Sequence, residues 1–246
     1  CVTMGVEHIL DDVVDVALDE RGFVRSLALK ERGDHAVEFV IDCSGFRGLI
    51  IRKAMGEPFV DYGDRLPCDR ALALQVPHDD GAPLPAFTTS TALGAGWSWS
   101  VPLFSRRGTG YIYSSKFASE EVATREYLNF LGIDENSASP ASIKMNVGRS
   151  RRSGVNNCVA VGLAGEFVEP LKSTSIHFDQ MSLRWLLDKF SDRECSPPLR
   201  NAYNGLVQNL YEEIRDFEPR RHTVLAIQRR VGIVGLATRK AGTVAL

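Results

Sequence analysis

The chain has little of what would commit it to metal, disulfide, nucleic-acid or membrane chemistry. Its 246 residues include five cysteines and five histidines. Cys1, Cys43, Cys68, Cys158 and Cys195 are odd in number and lack C-x-x-C spacing, and the histidines show no ligand pairing. Free thiols and no metal site are expected. Charge of one sign is also missing. Lys and Arg number 29 against 31 Asp and Glu, a net charge of −2, which supplies no field for nucleic acid or an anionic membrane. No apolar run approaches the roughly 20 residues of a membrane span, and no n-region, h-region and cleavage site opens the sequence. A soluble, cytosolic protein is expected. There is no internal repeat and no low-complexity segment.

What remains is 44% hydrophobic and 24% charged, the ordinary globular range, enough for one large domain or two small ones. The sequence opens on Cys1 without an initiating Met and runs at once into a strand-like pattern, as the interior of a longer product would. At the other end the acids stop at Glu218, while Arg220, Arg221, Arg229, Arg230, Arg239 and Lys240 follow without compensation. This tail lacks the helical periodicity before it. One permissible coding of Arg229 to Ile233, shifted by a base, reads as an acidic run, so residues 219–246 carry the signature of a displaced reading frame.

Apolar alternation between charged Gly turns ("DERG", "ERGD") predicts a β-meander of Val13 to Leu18, Phe23 to Leu29 and Val37 to Ile41. The last strand delivers Asp42 into a Ser44-Gly45 turn and a short helix, Leu49 to Met55. Four more strands, Ala71 to Gln75, Ala86 to Leu93, Trp97 to Leu103 and Gly110 to Ser115, are spaced by Pro and Gly like one antiparallel sheet. Ser119, with Glu120 and Glu121 behind it, caps a helix that Gly132 stops. Strands at Ile143 to Val147 and Cys158 to Leu163 precede helices at about Ser175 to Phe190 and Pro198 to Phe217. The fold class is α+β. The run "GRSRR", Gly148 to Arg152, reads as a solvated strand end.

Two stretches carry chemistry. In "GWSWSVP", Gly96 to Pro102, Trp97 and Trp99 share one face of a strand with Ser98 and Ser100 on the other; two indoles alone would read as core. In "GLAGEFVEPLKSTSIHF", Gly162 to Phe178, a glycine turn after an apolar strand opens a helix, the arrangement that aims N–H groups at an anion or cofactor.

The frame Gly96-Trp97-x-Trp99-x-Val101-Pro102 resembles the G-W-x-W-x-I-P motif of the flavin-dependent tryptophan halogenases. Asp42 to Ile50, "VPHDD" at Val76 to Asp80 and "VGRSRRSGVNNCVAVGL" at Val147 to Leu163 agree with that family in order and spacing, so the resemblance covers Cys1 to about Phe217. It implies a partial FAD-dependent monooxygenase-like fold, a β-meander plus a larger antiparallel sheet with C-terminal helices. It also implies that FAD, reduced by a separate and transient flavin reductase, and oxygen serve to oxidise halide. A lysine then presents the oxidant to a small aromatic substrate, tryptophan or a related indole. The tryptophan motif is held to discourage ordinary monooxygenation. A homodimer is compatible with the family; nucleic acid and membrane partners are not implied.

By the same resemblance, Val13, Leu163 and Ile176 correspond to FAD contacts and Thr174 and Ser175 to the halide site. The expected division is residues 1–55 and 148–218 for the flavin and halide regions, 56–147 for the substrate sheet, and 219–246 for the tail. The family pattern E-P-L-E-S-T-G-I departs here at two places. Lys172 stands where the family has the glutamate that takes the arene proton, and a cationic amine cannot act as that base. Ser175 replaces a glycine beside the halide. Gly154 and His177 replace usual aromatics. A hydroxylase of the same superfamily and an inactive remnant therefore stay open beside the halogenase.

The family's G-x-G-x-x-G dinucleotide motif and its reactive lysine have no counterpart in these residues. The isolated chain is therefore expected to lose FAD on desalting, read by flavin absorbance of the protein fraction. Stoichiometric yellow protein would overturn that expectation.

Overall fold

The computed structural model describes residues 2–78, 84–168, 174–190, 195–231 and 243–245, with side chains through Asp216 apart from those of Val2 and Thr174. In chain order the elements are β1 (Val13–Leu18), β2 (Val24–Leu29), β3 (Gly33–Ala36), β4 (Val40–Asp42), β5 (Phe59–Asp61), β6 (Arg70–Val76), β7 (Thr89–Ala92), β8 (Gly96–Pro102) and β9 (Arg107–Tyr113). Then follow α1 (Glu120–Leu131), β10 (Ala141–Lys144), β11 (Gly148–Ser150), β12 (Gly154–Val155), β13 (Cys158–Ala160), β14 (Glu166–Phe167), α2 (Thr174–Lys189), α3 (Pro197–Val231) and β15 (Thr243–Ala245). Two compact units divide them. One comprises Cys1–Val60, Arg149–Glu166 and Ile176–Leu210; the other comprises Asp61–Gly148, Phe167–Ser175 and Tyr211–Leu246. No described helix is long and apolar enough to cross a membrane.

In the first unit β1, β2 and β3 form the meander, in antiparallel register from Val13↔Leu29 and Leu29↔Gly33. Its third strand is Gly33–Ala36, which corrects the expected Val37 to Ile41. All four residues of β3 are exposed, so it has no burial alternation to read. Val40–Asp42 belongs to another sheet and pairs in parallel with β13, Val40 opposite Cys158 and Asp42 opposite Ala160. Asn157, in the β12–β13 turn, joins the two sheets. Its side-chain oxygen accepts the Val24 N–H at 2.8 Å, and its amide donates to the carbonyls of Val24 and Glu38 at 2.8 and 3.0 Å. A buried amide is stable only with such partners.

β4 ends at Asp42, whose side chain is buried. The carboxylate accepts the N–H groups of Ser44 (2.9 Å), Ile50 (3.0 Å) and Ile51 (2.9 Å), and Ser44 Oγ accepts that of Leu49 at 2.6 Å. The N–H groups of Leu49, Ile50 and Ile51 are the donors that the start of a helix leaves unpaired, and a negative charge suits that end. The helix, Leu49–Ala54, is a single π-turn, with bonds from Lys53 N to Gly48 O and Met55 N to Ile50 O. It buries Ile50 and Ile51 against Val24, Val40, Val155, Cys158, Ala160 and Ala164. Among the described cysteines, Cys43 and Cys158 are free thiols, and burial pushes the Cys158 thiol up to about 12.

The second unit is built on an antiparallel sheet ordered β10-β6-β9-β8-β7-β15. Its two faces differ sharply. Leu72, Tyr111 and Tyr113 pack with Ala123 and Tyr127 of α1. Thr109 and Tyr127 hydroxyls meet at 2.6 Å, and the Tyr111 hydroxyl donates to Glu126 at 2.8 Å while accepting the Ala95 N–H at 3.0 Å. Burial and that carboxylate push the Tyr111 phenol well above its ordinary range. α1 forms as its caps dictate: Ser119 accepts the Val122 N–H, and Gly132 takes a left-handed conformation at φ 71°.

The opposite face carries Trp97 and Trp99 of β8. Their cross-strand partners are Ile112 and Gly110 of β9 and Ala92 and Ser90 of β7, mostly small residues. The indoles meet edge to face, centroids 6.2 Å apart. Gly110 makes that possible, since a Cβ there would lie 1.9 Å from Trp99 Cη2. Ser98, on the α1 face, is buried as well.

α3 extends past the expected end at Phe217 to Val231. Tyr203, Val207 and Tyr211, four apart, are the buried positions among its described side chains, and the helix runs on through Pro219.

Two outcomes test this account. Asp42→Ala strips the partners from three N–H groups and should destabilise the chain by roughly 3 kcal/mol, seen as a lower urea midpoint; an unchanged midpoint would show that the cap is dispensable. Gly110→Ala should displace Trp99 at a cost of about 1–3 kcal/mol, with a changed near-ultraviolet circular dichroism spectrum. Retention of the original spectrum would contradict the packing described.

Candidate active site

In the first unit three turns converge. The Val161 N–H donates to the Asp42 carbonyl at 3.1 Å, so the end of β13 is tied to the end of β4. The chain then turns at Gly162, φ +66°, into the short helix Gly162–Ala164, which lies beside Gly45–Arg47. Asp179, on the second turn of α2, accepts the Gly162 N–H. The turn that bears Leu163 and the helix start that bears Ile176 are thereby drawn to one end of the unit. Both side chains face solvent, Leu163 at 40% and Ile176 at 65% exposure. Val13 stands apart from them, partly buried at the start of β1.

Cys43 lies between Asp42 and Ser44 on the same turn cluster. Burial first, then the charges of Asp42 and Asp179, raise its thiol pKa. It is thus kept protonated and is a poor nucleophile.

α2 opens at Thr174, so Thr174 and Ser175 occupy its first turn, where N–H groups have no intrahelical acceptor and the helix dipole favours an anion. Ser175 is half-buried. The side chain of Thr174, and Lys172 entirely, lie outside the described residues. Gly96, Trp97, Trp99 and Pro102 all lie on β8 of the second unit. A Cβ on Gly96 would fall 1.9 Å from the Ile112 carbonyl oxygen, so only glycine permits that approach of β8 to β9.

The basic run at Gly148 to Arg152 is a solvated strand end only at Arg151 and Arg152. Gly148–Ser150 is buried throughout, and Arg149 is 5% exposed with its guanidinium donating to the carbonyls of Ser150 and Arg151 at 3.1 and 2.8 Å. Arg152 forks onto the buried carboxylate of Glu57, Nε at 3.1 Å and Nη2 at 2.5 Å. Arg149 is thus structural, whereas Arg151 and Arg152 are exposed and Arg152 reaches Glu57 from the surface. At Gly154 an added Cβ would come within 3.3 Å of the Tyr203 ring, so a large aromatic there would require Tyr203 to move.

Sequence reasoning did not single out Asp179, Glu57 or Glu166. Each does its work through a partner distant in the chain, and none has a local pattern that marks it.

The tryptophan halogenase family model matches residues 1–225. The chain is 43% identical to the tryptophan 6-halogenase SttH of Streptomyces toxytricini, covering 87% of this chain and 41% of that protein. It is 41% identical to the tryptophan 7-halogenase RebH of Lentzea aerocolonigenes, again over 87% of this chain and 41% of the relative. Among solved structures, Tar14, a tryptophan C-6 flavin-dependent halogenase from taromycin biosynthesis, superposes with a TM-score of 0.84 at 43% identity, covering 98% of this chain and 46% of that one. The chain thus spans about 40% of the length of these curated relatives. With the family model matching residues 1–225 and relatives more than 40% identical over most of its length, the chain belongs to the tryptophan halogenases.

Proposed function

We propose that this chain is part of a flavin-dependent halogenase that acts on tryptophan or a related indole, with the Gly162 turn and the start of α2 holding flavin and halide. The observation that carries this reading is the Asp179 bond to the Gly162 N–H, which sets Leu163 and Ile176 at one end of the unit. Apolar side chains held in water gain about 25 cal/mol per Å² when covered, and a flat aromatic ring laid on Leu163 and Ile176 would cover them. FAD fits that surface. When bound and reduced, FAD with oxygen supplies the oxidising equivalents that convert halide to hypohalous acid.

The remaining roles fall to residues of this chain. N–H groups of the first turn of α2, at Thr174 and Ser175, hold the halide. Val13 supports the flavin side through β1, which packs on the Leu49–Ala54 helix. Trp97 and Trp99 wall off water on their side of the sheet and present indole faces to an aromatic substrate. Lys172, in the place of the family's acid, holds a proton where a base is needed to accept one from the halogenated ring. A flavin reductase is the expected transient partner.

The test replaces the matching segment of the Streptomyces toxytricini enzyme with residues 1–217 of this chain and supplies tryptophan, bromide and a flavin reductase. Product is read by mass. Lys172→Glu combined with Ser175→Gly should raise brominated tryptophan by about 100-fold, the lower range for a positioned general base. If the unaltered chimera brominates as fast as the double variant, the roles given to Lys172 and Ser175 are wrong. A hydroxylated product in place of a brominated one would favour the hydroxylase reading.

A further inference from the structure

Five buried side-chain oxygens in the first unit have no hydrogen-bond partner: Ser150 Oγ, Glu166 Oε1, Asp179 Oδ1, Ser182 Oγ and Tyr203 Oη. They come from β11, β14, α2 and α3, and they belong to one neighbourhood. Asp179 and Ser182 are three residues apart and so share a face of α2. Glu166 feels the charges of Asp179 and Arg149, and Tyr203 feels that of Glu166. The Ser150 N–H donates to the carbonyl of Gly165, the residue before Glu166. Tyr203 lies against Gly154, next to Ser153, whose hydroxyl donates to Glu166 Oε2 at 3.1 Å.

Ser150, Glu166, Ser182 and Tyr203 are almost wholly buried. Unpaired polar atoms are rare in protein interiors, and a buried group of donors and acceptors that do not bond one another directly is what internal water bridges. The carboxyls supply acceptors; the hydroxyls supply donors.

We propose that Glu166 and Asp179 share a proton through internal water, and that this proton is a pH-sensitive latch holding α2 onto the Gly162 turn. Asp179 accepts the Gly162 N–H while Glu166, protonated on Oε1, donates through water toward Asp179 Oδ1. The groups facing the pair are Arg149 from β11, Ser153 ahead of β12, Tyr203 from α3 and Cys43 from the turn after β4. Only Arg149 among them is cationic. Release of the proton to solvent leaves two carboxylates facing one another under α2 with that one guanidinium between them, and the helix loosens.

Burial, the largest cause, raises Glu166 to about 8; Asp179 adds to it, while Ser153 and Arg149 oppose. Burial also raises Asp179. A carboxyl raised in the folded state contributes its stability fully below the unfolded value, about 4.3, and loses it as pH climbs through the folded value. The latch therefore holds at pH 6 and is released by pH 9.

Thermal unfolding of the 246-residue chain between pH 6 and pH 9 tests this. The midpoint should fall across the range in the unaltered chain, and Glu166→Gln, which keeps the shape and a neutral donor, should flatten the fall. An equal fall in Glu166→Gln overturns the proposal. Infrared spectroscopy of the unaltered chain decides independently of whether any variant folds. A carboxylic-acid carbonyl band should be present at pH 6 and vanish toward pH 9, and its absence at pH 6 overturns the proposal. In Asp179→Asn the same band should titrate at lower pH, because the neighbouring negative charge is gone; an unmoved midpoint shows that the two carboxyls do not share the proton.

Discussion

One buried carboxylate sets the geometry of the first unit. Asp42 has left water to cap the Leu49–Ala54 turn with two N–H bonds and to hold the Ser44 N–H with a third, and its own carbonyl receives the Val161 N–H. Because it terminates β4, these bonds fix where two other segments begin: the π-turn that fills the core and the Gly162 turn that follows β13. Asp179 then carries the constraint into α2. The positions of Leu163, Ile176 and the first turn of α2 follow from a chain of polar contacts whose first member is the end of one three-residue strand.

The second unit solves a different problem, how to keep two large indoles on a sheet that is also covered on its other side. On the α1 face the Tyr111 and Tyr127 hydroxyls each have a polar partner, which fits the cost of burying an unpaired phenol. The tryptophan face sets Gly110 and Ser90 opposite Trp99, so bulk there meets its absence on both neighbouring strands, while Trp97 lies between Ile112 and Ala92. Residue size therefore alternates across strands as well as along them.

What was legible in the sequence was whatever local pattern decides. β1, β8 and α1 lie within a residue or so of their expected bounds because alternation, a Ser cap and a C-terminal Gly are local signals. The parallel pairing of β4 with β13 was not, since it joins residues more than a hundred positions apart and neither strand is long enough to show a period. Arg149 was misread because a run of arginines looks solvated until Glu57 and the backbone carbonyls that receive its charges are brought to it by folding. The site divides in the same way. The glycine turn and the indole pair announced themselves by type and spacing, whereas Asp179 and Glu166 matter only through partners that the fold supplies.

On the proposed reading, the two departures at the start of α2 act on different steps, and their sizes decide which matters more. Ser175 adds a Cβ where a halide would approach the backbone, weakening a helix-end anion contact worth about 0.3–1 kcal/mol when exposed. Lys172 acts in the opposite sense on the halide, since a cation two residues ahead of Thr174 attracts the anion. At the ring, however, Lys172 removes a base, and a positioned base contributes roughly 100- to 10,000-fold to proton transfer, or about 3–5 kcal/mol. Halide binding would therefore be near the family's level while proton removal falls far below it. The chemistry would stall after the new carbon–halogen bond forms, not before the halide is held.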